Sequence, residues 1–302
     1  PVAVSVPPPA IVLPNVVASL QANRTGTGTG SVANAGGSTL RYTIDNTGTG
    51  STTVVDVPRG TLTSGFASSF LSDNATPALF AADDFVLATP VTLRSIYTEG
   101  FTVTAGSLLT SATRFGWAVF ADAGGNPAGS PSNLSSAVWS YESAPNGPGI
   151  TVTTSGQFNH VRINLAAAGQ APTLPAGRYW LVPYARTTTS FRWVWFGAQN
   201  ATGDFRTMTQ NAAGTAAWTT PAAAYNGFNL NIVGEVPCGA PWMGAVTPAM
   251  GNVLAGNANP LSIALSSAGL APGSSNVAYV CASSNDPQRP KAAGRISLNV
   301  TP

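Results

Sequence analysis

SVANAGGSTLRYTIDN, residues 31–46, and SNVAYVCASSNDPQRPKAAGRISLNVTP, residues 275–302, lie near opposite ends of the chain and read as two pieces of one small β-sandwich. In the first, Leu40, Tyr42 and Ile44 share one face of a strand while Arg41, Thr43 and Asp45 share the other, the period-two alternation of a half-buried strand. In the second, Ile296, Leu298 and Val300 alternate in the same way. CGAPWMGAVTP at 238–248 and LSIALS, with Leu261, Ile263 and Leu265 on one face, belong with the second piece. Neither piece closes a sandwich alone, because such a unit needs about seven strands in about 100 residues. The economical reading is one host domain interrupted by an insert.

Working outward, the intervening stretch is also rich in strands. Val161, Ile163 and Leu165 alternate in HVRINL, and Phe228, Leu230 and Ile232 alternate in FNLNIV. The 32 Gly and 24 Pro cut the chain into short segments with frequent turns, as sandwiches require. No capped helical periodicity is sustained; a short helical turn is expected only near Phe66 to Leu71. TGTGTG at Thr25 to Gly30 reads as a loop or an edge strand, since no side chain in it can pack deeply.

The composition narrows function by exclusion. Charged residues are 8% of 302 and the net charge is +2, against a usual charged share of about 25%. That is too little positive charge to neutralise a run of phosphates, so a nucleic-acid partner is not expected. No apolar stretch is long enough to span a bilayer as a helix. Scarce charge also leaves little repulsion between copies, which favours self-association. The chain opens on Pro1 without a methionine or an apolar leader, as a mature, processed form or a fragment does. Its first ten residues, PVAVSVPPPA, form an extended arm, because three consecutive prolines forbid a helix. Val2, Val4 and Val6 alternate as a strand donated to a neighbour would.

The spaced elements resemble an immunoglobulin-like module of bacterial secreted proteins, of the abnormal-spindle and hydin type, found beside subtilisin-like proteases. The correspondence runs through Asn34 to Ile44, Pro241 to Gly251, Gly269 to Gly273 and Cys281 to Pro287. SSNDP is its most specific part, and about a third of the chain is covered. The insert resembles jelly-roll sandwiches through AADDFVL at Ala81 to Leu87, WAVFADAGGNPAG at Trp117 to Gly129 and LPAGRYWLVPYA at Leu174 to Ala185. The expectation is therefore an all-β protein: an arm at 1–10, an immunoglobulin-like sandwich at 11–58 and 236–302, and an inserted jelly-roll-like sandwich at 59–235. Trp242 is the expected core aromatic of the host.

Cys238 and Cys281 are the two cysteines. Paired, they would stabilise by about 4 kcal/mol through loop closure and point to an oxidising, extracellular location; two buried free thiols are the alternative. His160, the single histidine, falls on the strand face opposite Val161, and no nucleophile elbow accompanies it, so Ser-His-Asp chemistry is not expected. No carboxylate pair suggests a glycosidase.

Asp83, Asp84 and Asp122, with Asn126, supply oxygens that could hold Ca²⁺, the one cofactor these residues allow. Aspartates in Gly-rich turns more often bond their own backbone, and that reading is preferred. Trp193, Trp195 and Trp218, with Arg192, could form an aromatic row that stacks on a glycan, whereas burial in the core is the commoner fate of such rings. The function expected is a non-catalytic extracellular structural or adhesive protein, self-associating or contacting other surface proteins through its arm or sheet edges. The alternative is a glycan-binding or substrate-targeting accessory of a secreted hydrolase.

Overall fold

A computed structural model describes residues 6–73, 78–210 and 216–302. The class is all-β, with 58% of residues in strands and 3% in helices. The chain divides into two compact units. The first takes the chain up to Thr52, the short return Thr89–Val91, and Glu235–Pro302; the second takes Thr53–Ala88 and Thr92–Gly234. The sequence placed these junctions at 58/59 and 235/236, and it gave no sign of the return at Thr89–Val91.

The first unit is a sandwich of two sheets around one core. One sheet runs Ile11–Val12, Thr25–Asn34, Ala258–Ser266, Met243–Thr247. In the other, Lys291–Thr301 pairs with Ser275–Ser284, which pairs with Leu40–Ile44, which pairs with Met250–Val253. Val16–Gln21 runs parallel to Lys291–Thr301 on its free side. The alternating residues meet between the sheets: Leu40, Tyr42, Trp242, Leu261, Ile263, Leu265, Ile296 and Leu298 are all buried in one cluster. Their removal from water is the main stabilising term.

TGTGTG is part of the ten-residue strand Thr25–Asn34, not a loop. Its glycines are the inward face: a Cβ on Gly26, Gly28 or Gly30 would fall on Leu20, Val16 or Pro14. The threonines take the other face, so the run is an ordinary alternation in which the core-facing residue has been reduced to hydrogen.

Two elements singled out in the sequence act as latches. Asn34, 1% exposed, uses its whole carboxamide: Oδ1 accepts from the Ala10 and Gly36 amides at 3.2 and 3.0 Å, and Nδ2 donates to the Ser38 and Val253 carbonyls at 2.8 and 3.0 Å. Gly36 must lack a side chain because a Cβ there would run into the Pro8 carbonyl oxygen. In SSNDP, Asn285 mimics a strand partner, its Oδ1 accepting from the Arg41 amide at 2.7 Å and its Nδ2 donating to the Thr39 carbonyl at 3.1 Å. Asp286, 3% exposed, accepts from the Ile11 amide at 3.0 Å and from the amides of Gln288 and Arg289 at 2.8 and 3.2 Å. These motifs tie the first strand and its approach to the rest of the sandwich.

At the surface of the same unit, Lys291 donates to Asp45 at 2.6 Å. This bond, with further bonds from Thr47, lowers the Asp45 carboxyl from 3.8 to about 2. A lowered carboxylate stabilises the fold above its unfolded pKa and loses that contribution as pH falls through its folded one. Lys291→Met is expected to bring the Asp45 titration, followed by side-chain carboxyl NMR, back up toward 3.8. An Asp45 midpoint still near 2 would refute the assignment.

The second unit is also built from two sheets. In one, Ala137–Ser143, Arg114–Ala121 and Gly177–Thr187 are successive antiparallel neighbours, and Ala78–Leu87 lies between Gly177–Thr187 and Phe205–Gln210. In the other, Ile150–Ser155, Phe158–Asn164 and Val91–Thr102 are neighbours, and Trp193–Ala198 pairs with the far end of Val91–Thr102. Phe115 from the first sheet meets Trp193 from the second edge-on at 4.9 Å.

The helical turn expected near Phe66 to Leu71 is instead two short strands. Gly65–Ala67 pairs antiparallel with Trp193–Ala198, and Ser69–Leu71 pairs parallel with Gly177–Thr187. Tertiary pairing overrides the local preference. The α-helix observed is Leu108–Ser111, where the Ser107 hydroxyl accepts from the Leu109 amide at 3.2 Å.

Candidate functional site

Strand alternation determines which side chains the second unit shows to solvent. Val161 and Ile163 are buried, so His160 and Arg162 point outward from Phe158–Asn164. Ile96 and Thr98 are buried, so Tyr97 and Glu99 point outward from Val91–Thr102. The register sets Arg162 opposite Tyr97 and His160 opposite Glu99. Leu230 and Ile232 likewise turn inward and leave Asn231 on the surface, where its Nδ2 donates to Asp56 at 3.1 Å. Asp56, Arg59, Tyr97, Glu99, Arg162 and Asn231 line a groove of about 540 Å³, with His160 beside it.

The groove floor is held by mutual bonds. The Tyr97 hydroxyl donates to Glu99 Oε1 at 2.5 Å. Its one proton is then committed, so the 2.8 Å contact with His160 Nδ1 is a bond donated by the imidazole. Arg59 Nε lies 3.2 Å from Glu99 Oε2, and Arg59 also donates to the Leu62 carbonyl at 3.2 Å. The same guanidinium packs on the rings of Phe196 and Phe158, 4.5 and 5.1 Å from their centroids. Arg162 lies 5.0 Å over the Tyr97 ring, whose plane is 14° from that of His160. Burial, then the bond to Glu99, pushes the Tyr97 phenol well above its ordinary value. It stays protonated at neutral pH and is a poor nucleophile. The arrangement is a polar surface of donors, acceptors and two guanidinium groups packed on rings, suited to recognition.

The residues singled out in the sequence lie elsewhere. Trp193 and Trp195 are fully buried, Trp195 donating to the Asn229 carbonyl at 2.8 Å and stacking on Phe228 at 4.7 Å. They are core and cannot stack on a glycan, because Trp193–Ala198 is covered on both faces. Trp218 is half-buried and donates to the Gly129 carbonyl at 2.9 Å, and Arg192 ends a short 3₁₀ turn. No aromatic row forms.

The three aspartates do not converge on a cation site. Asp83 is buried, accepting from the Phe228 and Asp84 amides at 2.7 and 3.1 Å, and burial raises its pKa. Asp84 instead meets the guanidinium of Arg178 at 2.7 Å, which also binds Asp204 at 2.6 Å. Asp122 accepts from Trp180 Nε1 at 2.8 Å and from the Gly125 amide at 3.2 Å, the turn-and-cap role, and the first of these bonds leads in lowering its pKa. Arginine supplies the positive charge that calcium would have brought. Among the described residues no group of three or more His, Cys, Asp or Glu side chains could hold a metal ion.

Of the arm residues, Val2 and Val4 lie outside the described residues and Val6 is exposed. From Pro7 onward the arm lies on its own chain: the Pro8 and Ala10 carbonyls accept from the Gly37 and Ala35 amides at 3.2 and 2.9 Å. That part is not available to a neighbour. Cys238 and Cys281 are joined in a disulfide.

Asp56, Arg59, Tyr97, Glu99, Arg162 and Asn231 were not singled out as a site in the sequence. The outward places of His160 and Arg162 were readable from alternation, but their register against Tyr97 and Glu99 was not. No protein-family model matches the chain, and no curated protein gives a significant match. Among the described residues no helix is long and apolar enough to cross a membrane.

Proposed function

We propose that this chain is a non-catalytic extracellular β-sandwich protein with a structural or adhesive role, its second unit providing a recognition surface. The observation that carries this reading is the groove on that unit, whose Tyr97, Glu99 and Arg59 are held by mutual bonds, with His160 bonded to Tyr97 from beside it. Such preorganisation lowers the ordering cost of binding a ligand. The disulfide supports an oxidising, extracellular setting, and the first unit serves as an immunoglobulin-like module of the kind secreted bacterial proteins carry. With the described arm docked on its own chain, self-association falls to the sheet edges. The Met250–Val253 edge, where Met250 and the following Leu254 are 67% and 64% exposed, is the surface that supports this.

Retention of the oxidised protein on insoluble polysaccharides, with light scattering and electron microscopy of the free protein, tests the reading. The expected result is retention or concentration-dependent assembly with no soluble sugar released. Release of reducing ends, or a monomer that adheres to nothing, would overturn it. The second reading, an accessory region of a secreted hydrolase, draws on the same groove. It predicts glycan retention with no assembly at any concentration.

A further inference from the structure

We propose that the groove of the second unit binds a saccharide bearing one carboxylate per sugar, a uronic-acid chain, with Arg162 as the anchor for the carboxylate. The inference rests on the recognition reading above and names its ligand. The charges in the groove are unequal in their commitments. Arg59 is paired with Glu99 and packed against two rings. Asp56 accepts from Asn231.

The Arg162 side chain is exposed and, among the described residues, makes no side-chain hydrogen bond or ion pair; its guanidinium lies over the Tyr97 ring. A guanidinium resting over a ring with no side-chain partner has its fork of N–H donors free for a carboxylate, which can fill it bidentately.

The remaining groups select the rest of the ligand. Glu99 and Asp56 line the same groove, so a dianion such as phosphate would bring its second charge against two carboxylates, whereas a single charge placed at Arg162 would not. The carboxamide of Asn231, with the carboxylates of Asp56 and Glu99, offers acceptors and donors for hydroxyl groups. At about 540 Å³ the groove falls within the usual range of ligand sites, ~300–1,000 Å³. One uronate residue of the chain, placing a single carboxylate at Arg162 and its hydroxyls in the groove, meets each of these conditions; the carboxylates of its neighbours in the chain lie outside it.

Calorimetric titration of the intact, oxidised protein with oligogalacturonate tests the proposal, beside the same oligomer with its carboxyls reduced to alcohols, a sulfated neutral oligosaccharide, and inorganic phosphate. The uronate is expected to bind saturably and more weakly as salt rises, with affinity reduced about tenfold or more in Arg162→Gln. Arg24→Gln, a change at an exposed arginine of the first unit, should leave it unchanged. Asn231→Ala is expected to weaken the uronate without abolishing its salt dependence. Equal binding by the carboxyl-reduced oligomer, an unaffected Arg162→Gln variant, or no uronate binding would overturn the proposal. Preference for phosphate or for the sulfated sugar would overturn the carboxylate assignment. If the reduced oligomer binds, the recognition reading stands and only the acidic ligand falls. If sugar is released, the non-catalytic reading fails whatever the ligand.

Discussion

Cys238→Ser is expected to lower the stability of the first unit by about 4 kcal/mol, because the bridge it removes closes a loop between residues 43 apart in sequence. Natural domains are stable by only about 5–15 kcal/mol, so the loss is a large part of the whole. Cys281 is fully buried on the central strand Ser275–Ser284, which pairs with Lys291–Thr301 on one side and Leu40–Ile44 on the other. The cross-link therefore ties the chain at its re-entry into this unit, near Glu235, to the middle of the sheet. Urea unfolding followed separately in each unit, with and without reductant, measures the effect. The wild-type protein under reductant should match the variant, and the second unit, which holds no cysteine, should unfold unchanged. Coincident midpoints for oxidised and reduced protein would remove the bridge from the account of stability.

Asn34→Ala should cost about 3 kcal/mol, since it strands two backbone amides and two carbonyls that the carboxamide now satisfies, the Val253 carbonyl in the buried interior and the others partly buried. Each orphaned buried group costs about 1–3 kcal/mol, and partial access of water to the Ala10 and Ser38 side tempers the sum. The change also releases the approach to the first strand, because Ala10 and Gly36 lose their common acceptor. Asn34→Asp should do no better: the oxygen replacing Nδ2 would face the carbonyls of Ser38 and Val253. Thermal unfolding together with hydrogen exchange at Ala10 and Ile11 reads both consequences. Wild-type exchange at Ala10 with a loss below 1 kcal/mol would show that water replaces the side chain without penalty.

Legibility differed between particular residues for physical reasons. LSIALS and RISLNVT each have one face on the core and one on solvent, so polarity reports orientation directly, and Leu261, Ile263, Leu265, Ile296 and Leu298 are buried accordingly. FRWVWFG is different: Trp193 to Ala198 are buried on both faces, and once both sides are dry, alternation no longer says where a ring points. Phe66 to Leu71 looked helical because six residues carry too little pattern to outweigh pairing with distant strands. Asp83, Asp84 and Asp122 left a calcium site open beside the preferred turn-and-cap reading because acidic oxygens were visible in the sequence, whereas Arg178, distant from Asp84 in the chain, was not visible as its partner.

The groove shows the same division most clearly. Tyr97 and Glu99 stand two residues apart, and His160 and Arg162 do too, so each pair shares an outward face by strand geometry alone. What makes them one surface is the pairing of their strands in a single register; a slip of one residue would turn one pair into the core.

By itself the sequence determined the all-β class and which residues of the half-buried strands face the core, because a period of two and abundant Gly and Pro are local properties that each segment carries alone. Only the tertiary structure decided the partners: Asn34 with Val253, Asp286 with Ile11, Arg59 with Glu99, Arg162 over Tyr97. Those contacts join residues far apart in the chain. Their energies depend on register, distance and exclusion of water, none of which exists until the sheets have closed.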